Sequence, residues 1–303
     1  MKPLIKVIIV TYNSTRSITA CLGALTESTK NFGLDITIVD SASSDDTVIL
    51  LEAQPIPRVQ IIALKENVGY AGGNNVALRA IKDYKAYAAI LIINPDILLP
   101  AGTLDYLVAL LQSDARIGMV SPAIYPFQGA TTAETSAQLK KRRSLWGGKG
   151  AIAWVEQPGL ANVFRVDRLP GCCLLAKPAL FEKVGWFDEN YFLYWEELDL
   201  CLRARRAGYY LLVCADILIQ HNAGETERSH RIYYMARNQF YYALKNYNRP
   251  LALLFLLRRL LLTNSREFFR FWRSGRGDLL RAGWAGLKAG IKRETGPASI
   301  DFD

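Results

Sequence analysis

The sequence is sparing with the side chains that most often carry metal and redox chemistry. It has two histidines, His221 and His230, and five cysteines in 303 residues. Cys21, Cys172, Cys173, Cys201 and Cys214 are odd in number, lack CxxC spacing and sit in apolar surroundings. They read as small core residues of a reduced, cytoplasmic protein, not as a disulfide framework. Long apolar runs are missing too. The opening MKPLIKVIIVTYNS has a positive flank, but its apolar run after Lys6 is four residues. That is too short for a signal-peptide core and fits a first β-strand. Residues 250–262, PLALLFLLRRLLL, are broken by Arg258 and Arg259 and fall short of the roughly 20 apolar residues that span a bilayer. Neither GxGxxG after the first strand nor GxxxxGK[ST] anywhere is present. A dinucleotide-binding dehydrogenase and a P-loop enzyme thereby lose their usual phosphate cradle.

What is present is a sizeable core and an uneven charge. Half the residues are hydrophobic and 21% are charged, which suits one large domain or a domain with an appendage. The net charge is +9. Residues 249–303 hold 11 Lys/Arg against 5 Asp/Glu, a balance of +6, and residues 1–248 carry the remaining +3. A basic tail serves nucleic acid or anionic lipid. Its bulky aliphatics and the lack of a recognisable binding fold argue against nucleic acid.

Strand-like runs at 4–11, 35–40, 59–64 and 88–93 alternate with helical stretches. One helix follows a cap at Asn13 or Ser14, one starts near Thr47 and one near Gly73. This alternation predicts an α/β fold with a mostly parallel central sheet flanked by helices. Ligands bind such sheets beyond the carboxyl ends of the strands. Polar residues collect there: Thr11, Tyr12 and Asn13; Asp40; Lys65, Glu66 and Asn67; Asn94, Pro95 and Asp96. In NVGYAGGNNVAL, Gly69, Gly72 and Gly73 permit close backbone approach while Asn74 and Asn75 offer amides near a helix start. Residues 125–168 are polar, basic and glycine-containing and read as an insertion over the site. A strand is expected at 172–176, a helix from Pro178 to Gly185, and a strand or strand pair at 211–219 that delivers His221.

The densest chemistry lies in FDENYFLYWEELDLCLRARRAGY, residues 187–209. A helix is expected from Leu193 to Ala207, with Glu196, Glu197 and Asp199 in its first turn and Arg203, Arg205 and Arg206 in its last. Aromatic neighbours desolvate a carboxylate and raise its pKa towards that of a general base. The plainer alternative is a helix whose charges complement its dipole, with Asp199 and Arg203 at i,i+4.

In order and spacing, VIIVTYNS, VDSASSDDT, NVGYAGGNN, NPD, PGCCLLAKP, FDENYFLYWEELDL, HNAGE and YYMARNQFYY make the chain resemble inverting family-2 nucleotide-sugar glycosyltransferases of the GT-A fold. The likeness covers about residues 5–240, and the rhamnosyltransferase-like branch is nearest. The resemblance implies that Thr11, Tyr12 and Asn13 line a nucleotide pocket and that Asp40 bonds the base. Asn67, Gly69, Gly72, Gly73, Asn74 and Asn75 would face the sugar and phosphates. Asn94 and Asp96 stand where the family has its DxD motif, and Asp96 with His221 would hold Mg2+ or Mn2+. Glu197 stands where the family has the catalytic base, usually Asp, and Glu196 and Asp199 are its fallbacks. The expected organisation is a GT-A domain over 1–248 and a basic amphipathic helical tail over 249–303.

The tail places Phe268, Phe269, Phe271, Trp272, Leu279, Leu280, Trp284 and Leu287 among arginines and lysines, as in a helix lying on anionic lipid. The alternative is that these helices pack on the domain or on a second copy, a homodimer. The expected partners are a nucleotide-sugar donor (dTDP-rhamnose or a UDP-sugar), a glycan acceptor linked to lipid, and the inner face of the cell membrane. A sugar nucleotidyltransferase and a catalytically silent nucleotide-sugar-binding partner are the competing readings. The first would want a glycine-rich basic loop after the first strand. The second would tolerate loss of the acids.

Overall fold

The computed structural model describes residues 2–53, 58–124, 162–219 and 228–298. The chain divides into two compact units. The first comprises Met1–Asn67, Gly73–Trp186 and Leu200–Asn222; the second comprises Val68–Gly72, Phe187–Asp199 and Ala223–Asp303. Packing therefore divides the chain differently from the expected boundary at residue 248. The acidic turn and the long helix after residue 227 group with the tail.

The first unit is built on an eight-stranded sheet. In chain order the strands are β1 (Leu4–Thr11), β2 (Gly33–Asp40), β3 (Val59–Ala63), β4 (Tyr87–Ile93), β5 (Ile117–Ile124), β6 (Val163–Arg165), β7 (Cys173–Ala176) and β8 (Tyr210–Ile219). Their spatial order is β3-β2-β1-β4-β7-β5-β8-β6. β3, β2, β1 and β4 run parallel, β7 is antiparallel to β4 and β5, and β6 is antiparallel to β8. Ile5, Val7, Ile8 and Ile9 of β1 are all fully buried. An unbroken β-branched run is what a central parallel strand needs, because both of its faces are covered. Register then aligns the strand ends: Thr11 pairs with Asp40, and Asp40 with Ala63.

Helices α1 (Ile18–Glu27), α2 (Thr47–Glu52), α3 (Gly69–Arg79), α4 (Thr103–Gln112), α5 (Pro178–Val184) and α6 (Glu196–Arg206) complete the βα pattern. α3 and α6 each cross the boundary between the units. Three expectations shift. α1 begins at Ile18, not at a side-chain cap on Asn13 or Ser14: the Ser14 carbonyl accepts from Ser17 and Ile18 N–H, and Asn13 adopts φ +50°. The glycine-rich stretch is itself the first turn of α3. α6 begins at Glu196, three residues later than expected, because Phe192, Tyr194 and Trp195 adopt positive φ. The insertion expected over 125–168 lies outside the described residues as far as 161, and its last part forms β6 instead. α4 and β5 carried no turn or motif signal that singled them out.

The second unit is helical: α7 (Arg228–Asn246), α8 (Arg249–Arg258), a π-helical stretch (Arg259–Asn264), α9 (Ser265–Arg273) and α10 (Gly277–Ile291). α10 packs on α7 through Gly283, Gly286 and Gly290, where a Cβ on Gly286 would lie 2.3 Å from the Tyr233 carbonyl oxygen. Only glycine allows that approach. Leu279 and Leu287 are buried, so this part of the tail packs on protein, against the expectation that these two face lipid. α8 differs. Leu251, Leu253, Leu254 and Leu257 are 45–63% exposed, and Phe269 and Trp272 of α9 are 59% and 69% exposed. No helix among the described residues is long and apolar enough to cross a membrane.

Candidate active site

The candidate residues fall into two groups, one in each compact unit. The first is the rim at the ends of β1, β2 and β4. Asp40 is 1% exposed and ties the rim together. Its carboxylate accepts from Thr11 Oγ1 at 2.8 Å, Ser43 N–H at 2.9 Å and Ser43 Oγ at 2.6 Å. Ser43 Oγ in turn accepts from Asn13 N–H, and Asn13 Oδ1 accepts from Ser44 N–H, both at 2.8 Å. The left-handed backbone at Asn13 and Ala42 folds both loops back onto this carboxylate. Asn and Asp side chains commonly support such turns. Ser41 Oγ donates to Asn67 at 3.2 Å, bringing a third strand end into the network. Tyr12, half exposed, projects from it. Three bonds occupy most of the four lone-pair sites of a carboxylate, so Asp40 organises the loops around it.

Asn74 and Asn75 of α3 are buried, and Gly73 lies against Val10 of β1. Asn94 and Asp96 follow β4 and are half-buried. The Asn94 N–H donates to the Cys172 carbonyl at 2.9 Å, which fixes the turn. The Cys21 thiol is pushed up to about 12 by burial and then by the charge of Asp96. Asp96 therefore sits near the start of the rim, above a core cysteine. His221, its expected co-ligand, lies outside the described residues. Among the described residues no group of three or more His, Cys, Asp or Glu could enclose a metal. Asp96, half-buried just after β4, offers a single carboxylate, a hard oxygen donor of the kind Mg2+ or Mn2+ takes. Magnesium is ordinarily held by one or two carboxylates plus substrate phosphates, not by an all-protein cage.

The second group is the turn Tyr191–Trp195 and the start of α6. Phe192 (φ +63°), Tyr194 (+65°) and Trp195 (+80°) all occupy left-handed backbone, which for bulky side chains costs about 1–3 kcal/mol each. Gly69 (φ +72°) makes room opposite, since a Cβ there would meet the Phe192 carbonyl oxygen at 2.3 Å. Trp195 is buried against Tyr242 and Phe255. The three acids that follow differ. Asp199 is fully buried but matched: Asn246 Nδ2 donates to it at 3.0 Å and Lys245 Nζ lies at 2.9 Å. Glu196 is 4% exposed, and neither its Oε2 nor Trp195 Nε1 has a hydrogen-bond partner among the described residues. Desolvation first, and the neighbouring Glu197 second, push the Glu196 carboxyl well above its ordinary 4.5. Glu197 is half-buried beside it. A buried carboxyl whose pKa is raised, next to a more accessible one at a helix N-terminus, is an arrangement in which paired carboxyls can take different proton roles.

Two contributors lie within YYMARNQFYY and carry no individual role in the sequence pattern. Arg237 is 1% exposed and Asn238 is equally buried, and both donate to carbonyls of the Tyr191–Trp195 turn. An Arg-Asn pair within an otherwise aromatic helix was the available signal.

Comparison with known proteins adds to this geometry. The profile of the family described as Glycosyl transferase family 2 matches residues 6–160. A low-salt glycan biosynthesis hexosyltransferase of Haloferax volcanii is 28% identical over 211 residues, which is 68% of this chain and 66% of that protein's length. The N-acetylglucosaminyl-diphospho-decaprenol L-rhamnosyltransferase of Mycobacterium tuberculosis is 26% identical over 249 residues, covering 75% of this chain and 79% of its own. Among solved structures, a mannosyltransferase from Pyrobaculum calidifontis in complex with GDP-Man and Mn2+ superposes with a TM-score of 0.61 at 19% identity, over 96% of this chain and 88% of that one. The fold is GT-A, as the motif order implied.

Proposed function

Because the chain belongs to glycosyl transferase family 2, we propose that it transfers a sugar, L-rhamnose as first choice, from a nucleoside-diphosphate donor to a hydroxyl of a bacterial surface-polysaccharide acceptor, with inversion. The observation that carries the reading is the acid pair: a buried Glu196 with a raised pKa, and a more accessible Glu197, at a helix start behind a strained aromatic turn. Glu197 takes the proton from the acceptor hydroxyl as that oxygen attacks the anomeric carbon. The raised pKa of Glu196 disfavours a second negative charge beside it. Asp199, matched by Lys245 and Asn246, positions the helix and is the least suited of the three to act as base. Thr11, Tyr12 and Asn13 line the nucleotide pocket, and Asp40 braces it and meets the base. Asn67, the Gly69–Asn75 stretch and Asn94 serve the donor's sugar and phosphates. Asp96, with His221 as the resemblance assigns it, would hold Mg2+ or Mn2+, whose positive charge stabilises the departing diphosphate.

The donor is tested by thermal stabilisation with Mn2+, screening dTDP-rhamnose, UDP-sugars and GDP-mannose. A ligand at 100 times its Kd adds about 2.7 kcal/mol of stability. One donor should therefore raise the melting temperature, and Asp96→Ala should abolish the Mn2+-dependent part of that rise. No response to any donor would sink the reading.

The acceptor is lipid-linked in this reading, as the name of the mycobacterial relative states for that enzyme. The protein then works on the inner face of the membrane. The exposed leucines of α8 and the exposed Phe269 and Trp272, beside exposed Arg266, Arg270 and Arg273, suit contact with anionic lipid. The variant Phe269→Glu/Trp272→Glu should lose most of its co-sedimentation with phosphatidylglycerol vesicles. Equal sedimentation of variant and wild type would discard the membrane role.

A further inference from the structure

We propose that Arg237 and Asn238 are positioning residues that clamp the Tyr191–Trp195 turn in its left-handed conformation and so aim Glu196 and Glu197. The functional half of this inference rests on the reading of Glu197 as base. Asn238 Nδ2 donates to the carbonyls of Tyr191 (2.9 Å), Leu193 (2.9 Å) and Tyr194 (2.8 Å). An amide nitrogen has two hydrogens for these three oxygens, so at least one is shared and the three carbonyls must converge on one point. That convergence sets the backbone of the turn. Arg237 completes the clamp. Its Nε donates to Asn238 Oδ1 at 2.9 Å, which fixes the amide the right way round. Its Nη2 donates to the Tyr191 carbonyl at 3.0 Å and its Nη1 to the Gly296 carbonyl at 2.7 Å.

A buried guanidinium is expensive to desolvate. This one donates to neutral oxygens while it lies against the rings of Tyr233 and Tyr234. A helix that needed only to pack would do so more cheaply with an apolar residue at this position. The opposite side of the turn is held by Ala71 N–H donating to the Phe192 carbonyl at 3.3 Å. The C-terminal segment closes the arrangement through Gly296 N–H to the Asn190 carbonyl at 3.2 Å and Ala298 N–H to Tyr234 Oη at 2.8 Å. Every one of these contacts goes to the turn or its supports, so neither residue is assigned a contact with donor or acceptor.

The test compares the full-length wild type with Asn238→Ala, Asn238→Gln and Arg237→Lys. It reads hydrogen–deuterium exchange by mass spectrometry together with nucleoside-diphosphate release from the donor found by thermal stabilisation. In Asn238→Ala, amides of residues 187–199 should exchange about tenfold faster while the sheet strands keep their wild-type rates. Turnover should fall on the order of 10- to 100-fold at a donor KM within about twofold of wild type, as expected when a catalytic group is misplaced and the binding surface is intact. Asn238→Gln, which keeps the amide, should recover part of both effects, and Arg237→Lys, which loses the fork, should show a smaller version of them. Unchanged exchange over 187–199, or unchanged kcat in a folded variant, overturns the proposal. If Asn238→Ala does not fold, Arg237→Lys decides by the same two readouts. If neither folds, the pair serves the stability of the whole unit and the proposal falls. A wild type that turns over no donor defeats the glycosyltransferase reading, while the exchange rates still decide whether the clamp exists.

Discussion

The rim around Asp40 and the turn ahead of Glu196 are both polar loops at the ends of regular elements, yet they are built on opposite principles. In the rim, Asp40 accepts three bonds, and Asn13, Ser43 and Ser44 are each engaged in turn. Its two left-handed residues are Asn13 and Ala42, an amide and a small side chain that tolerate the conformation. In the turn, three large aromatics take that conformation, and the carboxyl behind them is buried with one oxygen and a neighbouring indole N–H unsatisfied among the described residues. A densely bonded network makes a rigid surface. A strained turn with a desolvated acid holds a group whose proton affinity differs from that in water. The first suits binding and the second suits proton transfer.

Exchanging single groups breaks or sharpens this contrast. The largest effect is expected for Glu197→Gln, which keeps the shape of the side chain and removes its basicity. Turnover should fall by about 10²–10⁴, the usual worth of a general base, while donor affinity measured by calorimetry stays at the wild-type value. A loss of affinity equal to the loss of rate would mean that the two regions do not divide binding from chemistry. Full activity would move the base elsewhere.

A smaller effect, of stability and not rate, is expected from the neighbouring acid. The folded state holds the Glu196 proton more tightly than the unfolded chain does, chiefly through desolvation. Its contribution to stability is therefore fully present below the ordinary carboxyl range and is lost as pH rises through the raised folded-state value. Glu196→Gln lacks this dependence. Melting curves from about pH 4 to about pH 8 should show the wild type losing ground to the variant as pH rises. Parallel curves would mean that Glu196 titrates normally, and the difference between rim and turn would then rest on backbone strain alone.

A similar contrast runs through the tail. The pattern of aromatic and basic residues led to an interfacial surface across Phe268–Leu287. α10 instead turns Leu279 and Leu287 into protein, behind a stripe of glycines, while α8 and α9 leave leucines, Phe269 and Trp272 exposed. Helical periodicity says which residues share a face. It does not say what covers that face, and the glycines at 283, 286 and 290 were the readable sign that one face would meet another helix closely.

Much of the sheet could be read directly. β1, β2, β3 and β4 fall within two residues of the β-branched runs that announced them, because a strand covered on both faces must be apolar without interruption. Asp40, Asn94 and Asp96 were placed at strand ends by the polar residue that ends each run. α6 starts three residues later than its pattern predicts, because nothing local in FLYW signals positive φ, which sequence patterns assign to glycine or asparagine. Asn238 and Arg237 are 44 and 43 residues further along than Tyr194, so the groups that hold the turn have no local relation to it.

The amino-acid order by itself determined the alternation of strands and helices, the polar strand ends, the acids at the start of α6 and the free core cysteines, since all of these follow from periodicity and from what water rejects. Only the tertiary structure decided which acid is matched and which is left desolvated. Asp199 meets Lys245 and Asn246, whereas Glu196 is buried with one oxygen unpartnered among the described residues, and the proton affinity of a carboxyl is set chiefly by the burial and the partners that folding supplies.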